Sequence, residues 1–331
     1  MSEGPTVDFD GAAVLIGGAR RLFLVTHVNP DGDAVGSTAA LAHLASGWGA
    51  EAVCYCPDAV PAAFRFLVGA ELFTRDPGLL DAADVVVVID CSDPWRLGPE
   101  HNRILARRER VVLIDHHTDV TPFGGVNVVD PTAAASGVLV YELLGRLGWP
   151  VDIPAAEGLY AAIDTDTGGF RYPNTDARCL RVVAELVELG LKTDRVAHRI
   201  YESHRFERYR LLGLALRTLE RELEGRLALI SVTLEMLSQT GAVVEDTEDI
   251  VDYARGIEGV EVGAFLREDP GGMVKLSLRS KGGVPVNELA RLIGGGGHPC
   301  AAGARFEGTL AEARRWVIET VRSALDGGPE G

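Results

Sequence analysis

Four apolar segments of this chain each end on an aspartate or a histidine. Leu22–Thr26 (LFLVT) runs into His27, followed by Asp31 and Asp33 in HVNPDGD. Val85–Ile89 (VVVVI) ends at Asp90, and Val111–Ile114 (VVLI) at Asp115, His116 and His117. Leu159–Ile163 (LYAAI) ends at Asp164, within DTDTGGF. Short runs rich in Val and Ile predict strands buried on both faces, as in parallel sheets. In open α/β sheets, ligand sites lie beyond the carboxyl ends of the strands. The pattern therefore places carboxylates and imidazoles where such folds do chemistry.

Between these segments the period changes to that of helices. Helices are expected over Phe9–Gly18, Ala34–Gly47, Ser136–Leu147 (stopped by Gly148 and Pro150), Ala155–Ile163 and Asp176–Leu189, with a further strand at Glu51–Cys56. This alternation predicts an α/β fold with a mostly parallel sheet covered on both faces. Leu212, Leu216, Leu219 and Leu223 then repeat at helical spacing within a charged run, which predicts a connector helix. From Arg226 a new pattern begins. It comprises strands LALISVT, VEVGAFLRE and MVKLSLRS, helices at EDTEDIVDYARGI and Val286–Leu292, a glycine loop Gly294–Gly303, and a helix Leu310–Leu325. The expected organisation is a catalytic domain over 1–192, a connector over 193–225 and a smaller α/β domain over 226–331. The tail GGPEG is expected to be disordered.

Composition narrows the function. The 331 residues are 47% hydrophobic and 24% charged, an ordinary globular balance. No apolar run reaches the ~18 residues that span a bilayer, and the N-terminal segment lacks the pattern of a secretory signal. Five scattered cysteines without a CxxC pair suit reduced thiols, and the expected compartment is the cytoplasm. A net charge of −16 argues against wrapping long duplex nucleic acid. Between Gly271 and Arg305, however, five basic residues (Lys275, Arg279, Lys281, Arg291, Arg305) accompany a single acid, Glu288. A local positive patch in an acidic protein suits a small anionic ligand.

Burying several carboxylates together costs several kcal/mol each unless cations neutralise them. His27, Asp31, Asp33, Asp90, His116 and Asp164 are therefore read as ligands of two divalent ions, with Asp90 bridging. Mixed carboxylate and imidazole ligation suits manganese, with cobalt, zinc or magnesium as alternatives. Such a pair activates a bridging hydroxide for in-line displacement at phosphorus. Asp115 is expected to orient an imidazole, and His117 to donate to the phosphate. In the second domain, Gly295, Gly296, Gly297 and His298, with Ser277, Arg279 and Lys281, are read as a phosphate or nucleotide clamp. His43, His101, His198 and His204 are assigned structural or solvated roles, Asp130 a turn, and Asp166 a loop or supporting role. Thr167, Gly168 and Phe170 are candidates to line the substrate site.

These motifs resemble the DHH phosphoesterase family: THVNPDGDAVGS (26–37), VVVIDCSD (86–93), LIDHH (113–117), the Asp164 loop, and GGGGHPCAAGARF, which looks like the family's associated C-terminal domain. The resemblance covers nearly the whole chain and is closest in layout to the NrnA-type members, which are oligoribonucleases and pAp phosphatases. Some relatives also cleave cyclic di-AMP and pApA. The resemblance implies one metal on His27, Asp31 and Asp90 and a second on Asp33, Asp90, His116 and Asp164. It also implies His117 beside the scissile phosphate, Arg279 with Gly295–His298 on the nucleotide, short oligoribonucleotides or dinucleotides as substrate, and a homodimer. A RecJ-like exonuclease would need a longer basic channel, and an inorganic pyrophosphatase a different C-terminal domain.

Overall fold

The computed structural model describes residues 6–118 and 120–326, except for the side chain of His298; the GGPEG tail lies outside the described residues. The chain divides into two compact units between Ser203 and His204.

The first unit is built on seven strands: β1 (Thr6–Val7), β2 (Arg21–Val25), β3 (Glu51–Tyr55), β4 (Phe73–Thr74), β5 (Val85–Ile89), β6 (Val111–Asp115) and β7 (Val126–Val129). Their order is β1-β7-β6-β5-β2-β3-β4. All neighbours are parallel except β1 and β7. The all-apolar β5 is buried at every position, as a central strand with both faces covered must be. The order reverses between β2 and β5: β3 and β4 continue on one side of β2, and β5 starts the other. That switch point opens a crevice beyond the strand ends, where His27 and Asp90 follow β2 and β5 directly. The short strands β1, β4 and β7 carry too few residues to show a period, and the sequence pattern did not reveal them.

One helix carries two of the acids. Gly32–Gly47 has thirteen of its sixteen residues buried, so it needs small side chains all round, and its run of Ala, Gly, Ser and Thr provides them. Its close partner is the helix Ile153–Asp166. A Cβ on Gly36 would stand 2.3 Å from the Gly158 carbonyl oxygen, and one on Gly158 would stand 2.8 Å from that of Gly36. The two backbones meet with no room for a side chain.

The second unit holds β8 (Glu220–Glu222), β9 (Leu227–Val232), β10 (Val262–Asp269), β11 (Met273–Ser280), β12 (Gly296–His298) and β13 (Ala301–Glu307), in the order β12-β13-β11-β10-β9-β8. One face packs on the helix Leu310–Asp326 through Val274, Leu276, Leu278, Val317 and Val321. On the other, Ile230, Val232 and Phe265 pack on the helices Phe206–Leu216 and Ile250–Arg255.

Two expectations are corrected here. The connector helix over 193–225 is instead a helix Thr193–Tyr201 in the first unit, then Phe206–Leu216 and β8 in the second. Ser203 Oγ donates to the His198 carbonyl, and Thr218 Oγ1 bonds Ala215 and Ser231. Such local side-chain bonds compete with continued helix. The leucine spacing therefore ran across a helix–strand boundary. The glycine stretch 294–303 is likewise not wholly loop: Gly296–His298 pairs with β13. All five cysteines are free, and Cys300 is the exposed one. No helix among the described residues is long and apolar enough to cross a membrane.

Gly36→Ala tests the close approach of the two helices. Helix propensity alone would favour Ala by about 1 kcal/mol, but the clash with the Gly158 carbonyl reverses the sign. A net loss of about 1–3 kcal/mol is expected, read from urea denaturation. An unchanged or raised midpoint would show that the helices do not need to meet there.

Candidate metal centre

The loops after β2, β5 and β6 and the end of the helix Ile153–Asp166 converge on one cluster. His27 Nε2 lies 3.7 Å from Asp31 Oδ2 and 3.5 Å from Asp90 Oδ2. His116 Nε2 lies 3.6 Å from Asp33 Oδ2, 3.6 Å from Asp90 Oδ1 and 3.4 Å from Asp166 Oδ2. Donor atoms of His27, Asp31 and Asp90 fall within 4.8 Å of one another, as do those of Asp33, His116 and Asp166, and those of Asp90, His116 and His117. Asp90 turns one oxygen toward His27 and the other toward His116 and His117, the arrangement of a bridging ligand.

Each donor is held by its own support. Asp31 caps the helix Gly32–Gly47, its Oδ1 accepting from Ala34 N at 3.0 Å. Asp33, 1% exposed, accepts from Ser37 Oγ, Ser136 N and Gly137 N at 2.9, 2.6 and 2.9 Å. Two of these donors are the first amides of the helix Ser136–Leu147, which has no internal partner for them. Ser136 Oγ donates to Asp90 Oδ1 at 3.1 Å. Asp90 itself adopts φ +57°, a left-handed conformation that costs a non-glycine residue about 1–2 kcal/mol and aims the carboxylate into the cluster. His116 Nδ1 is 3.3 Å from the Ala133 carbonyl and His27 Nδ1 is 2.8 Å from that of Val28. A carbonyl partner favours N–H at Nδ1 and leaves Nε2 as the ligand atom. At His27 this tautomer is contested: Arg96 Nη2 stands 2.9 Å from the same Nδ1, and a guanidinium, which only donates, bonds it only when the proton is on Nε2.

The electrostatics fit cations. Burial, with the negative charge of Asp90 next, pushes the carboxyls of Asp33 and Asp166 well above the usual range. Burial works the same way on Asp90, but the hydrogen bond from His27 and the neighbouring imidazoles outweigh it and hold its carboxyl low. Metal-free, the cluster is thus stabilised by protons taken up on some acids and on imidazoles. Divalent ions neutralise the same carboxylates without protons, and the donor set suits two of them.

Asp115 orients His117. Its Oδ1 accepts from His117 N at 2.8 Å and lies 2.6 Å from His117 Nδ1. Burial lowers the imidazole's affinity for a proton, but the Asp115 hydrogen bond and charge raise it further, to about 9.

One expected ligand is corrected. Asp164 is absent from the three donor groups; its Oδ2 accepts from Tyr201 OH at 2.8 Å and its carboxyl is 3% exposed. Asp166, expected to play only a supporting role, stands beside His116 and Asp33. Both acids lie in the last turn of a helix that ends at Asp166, not Ile163. Residues two apart on a helix point about 200° away from each other, so only one can face the site. Ser136, Gly137 and Arg96 were also missed. The SG pair opening an apolar helical pattern was the visible trace of the first two.

In the second unit, Ser277 and Arg279 lie on β11 and Lys281 just beyond it. In register, Arg279 pairs with Ala301 and Ala301 with His298, while Ser277 pairs with Gly303 and Gly303 with Gly296. A Cβ on Gly295 would stand 2.3 Å from the Gly303 carbonyl, and one on Gly297 2.4 Å from that of Ala301. Both glycines are required by this close approach. Thr167 is fully buried and donates to Ile163, so it is structural.

Comparison with known proteins follows the same division. Residues 21–163 match the DHH family, N-terminal domain, and residues 229–326 the DHHA1 domain. The chain is 36% identical to the bifunctional oligoribonuclease and PAP phosphatase NrnA of Thermus thermophilus over 92% of its length and 90% of that protein's. It is 28% identical to the Bacillus subtilis protein of the same name over 86% and 88%. An exopolyphosphatase-related protein from Bacteroides fragilis superposes with a TM-score of 0.90 at 30% identity, covering 95% of both chains. RecJ of Thermus thermophilus in complex with Mn2+, 18% identical, shares the fold at a TM-score of 0.52 over 96% of this chain and 55% of that one.

Two outcomes are expected. Asp166→Asn weakens manganese binding by ~10-fold or more in calorimetric titration, on the scale of a lost metal-site partner, whereas Asp164→Asn changes it far less. The reverse ranking would restore Asp164 as the ligand. In the metal-free protein, the stability contributed by His117 is fully present below its unfolded pKa of 6.5 and is lost as pH rises through about 9. Asp115→Asn lowers that upper limit, which NMR titration of the imidazole reads directly; an unchanged titration would remove Asp115 as the cause.

Proposed function

The chain belongs to the DHH family, and on that premise we propose that it is a two-metal phosphohydrolase of short nucleotides. Its substrates are nanoRNA and pApA, cleaved to mononucleotides, pAp, cleaved to AMP, and cyclic di-AMP. The observation that carries this reading is Asp90, one carboxylate with its two oxygens turned to two separate groups of His and Asp donors. In support, relatives matching nine-tenths of the chain are named for oligoribonuclease and PAP phosphatase activity.

In this reading His27, Asp31 and Asp90 hold one ion, and Asp33, Asp90, His116 and Asp166 the other. Bound divalent ions supply a nucleophilic water at neutral pH and neutralise charge on the phosphoryl oxygens. The chain's own residues do the rest. Asp115 keeps His117 protonated through Nδ1, so its Nε2 proton is the one offered to a phosphoryl or leaving oxygen. Ser136 and Gly137 hold Asp33 in place. Ser277, Arg279, Lys281 and the Gly295–His298 strand bind the nucleotide's phosphate and sugar. The region over 1–192 serves as catalytic domain and that over 226–331 as substrate-binding domain. Manganese is the ion this donor mixture suits, the cytoplasm the compartment its free cysteines suit, and a homodimer the assembly the family resemblance implies.

The test is product chromatography after incubation of the purified chain with manganese and, separately, pApA, pAp, a five-mer RNA, cyclic di-AMP and pyrophosphate. AMP from pApA and pAp, mononucleotides from the RNA and untouched pyrophosphate are expected, with loss of all turnover in Asp90→Ala. Phosphate from pyrophosphate alone would overturn the reading in favour of a pyrophosphatase.

A further inference from the structure

The sheet of the second unit is covered unevenly. Its face toward the helices Phe206–Leu216 and Ile250–Arg255 is packed over β9 and β10 by Ala228, Ile230, Val232 and Phe265. On β11 and β13 the same face bears Lys275, Ser277, Arg279, Ala301, Gly303 and Arg305, bounded by Met273 and Glu307, and no described core residue of the unit lies among them. The alternating burial of β11 shows the division: Val274, Leu276, Leu278 and Ser280 are buried, and the residues between them are partly exposed.

The register arranges this strip in rows, because residues directly opposite across antiparallel strands share a face. Lys275 pairs with Arg305, Ser277 with Gly303 and Arg279 with Ala301. The strip therefore has cations at both ends and a middle row, Ser277–Gly303–Gly296, with almost no side-chain bulk. Four residues of strand separate Lys275 from Arg279, about 13 Å.

Lys275 and Arg305 stand directly opposite each other, an arrangement that costs stability when nothing compensates it. Their backbones belong to the sheet ladder, but among the described residues neither side chain makes a hydrogen bond or an ion pair. Arg267, Lys275's neighbour on β10, is already occupied by Asp269 at 2.7 Å. Burial and the charge of Arg267 push the Lys275 ammonium below its usual range, with Arg305 adding to the effect and Asp269 and Glu248 opposing it. Asp269 and Glu248 act on Lys275 only through space, and no acid bonds either side chain; in a chain of net charge −16 two adjacent cations left so on a partly exposed strand face suit an anionic partner.

We propose that Lys275 and Arg305 form a second phosphate subsite for a single-stranded oligoribonucleotide. In this arrangement one phosphate of the strand sits on Arg279 and Lys281, a nucleoside lies over the Ser277–Gly303–Gly296 row, and a further phosphate reaches Lys275 and Arg305. The inference rests on the reading of the second unit as the nucleotide-binding part and deepens it: the subsite lets the protein tell a chain of several phosphates from pAp.

Binding, separated from hydrolysis, tests it. A fluorescent five-mer RNA is titrated with the full chain in EDTA, followed by anisotropy, for the native protein and for the Lys275→Gln/Arg305→Gln pair; a Lys275→Arg/Arg305→Lys pair controls for shape. The Gln pair is expected to bind the five-mer ~10-fold or more weakly. Its slope of log affinity against log salt should be shallower by about 0.7 for each phosphate that is no longer neutralised. The charge-preserving pair should bind as the native protein does, and pAp should displace the RNA from all three. Equal five-mer affinity in the native and Gln proteins, or no binding to the native protein, overturns the subsite. A Gln pair that loses RNA affinity and salt slope supports it even if the native protein with manganese releases no nucleotide. That second result would instead defeat the hydrolase reading.

Discussion

The first unit depends on keeping Asp90 ionised in a place where water scarcely reaches it. A buried carboxylate costs several kcal/mol, and here it is also held in a left-handed backbone conformation. Both costs are offset by what surrounds it: His27 on one oxygen, His116, His117 and Ser136 on the other. The neighbours of Asp90 are set in turn by carbonyls of Val28 and Ala133 and by the Asp115 carboxylate. The charge at one position thus explains why so many backbone groups in this crevice are committed to side chains.

The two helices that meet at Gly36 and Gly158 make this arrangement stiff. One brings Asp31 and Asp33 at its start, the other brings Asp166 at its end. Because their backbones touch, the acids cannot drift apart without breaking the core between the helices and the sheet. The helix Ser136–Leu147 completes the frame by donating its first two amides to Asp33. Small residues in these helices are therefore a requirement of the site as much as of the packing.

Much of this was legible in the chain before any coordinates. Strand ends are visible because a buried run of Val and Ile stops abruptly at a polar residue, which located His27, Asp90 and His116 on the correct elements. Asp164 and Asp166 were confused because both follow the same apolar segment. Only knowing that the helix continues through them tells which faces the cluster. The connector failed for a related reason: leucine spacing persists across Thr218, where a side-chain hydroxyl takes over the backbone's bonds. Pairing of Gly296–His298 with β13 left no trace, since glycine carries no strand preference and its place is decided by neighbours far along the chain. The cation row of Lys275 and Arg305 was present as composition, but its geometry exists only through strand register.

The division of the chain between Ser203 and His204 has a consequence for how the protein is made. Every donor of the cluster, from His27 to Asp166, lies in the first unit, and the strands of the second unit are synthesised afterwards. Domains fold as units, the N-terminal one first, as the ribosome releases them. The donor cluster is therefore complete on the nascent chain before the second unit has been translated. A newborn molecule passes through a stage in which the buried acids and imidazoles of the first unit are assembled while the sheet of the second unit does not yet exist.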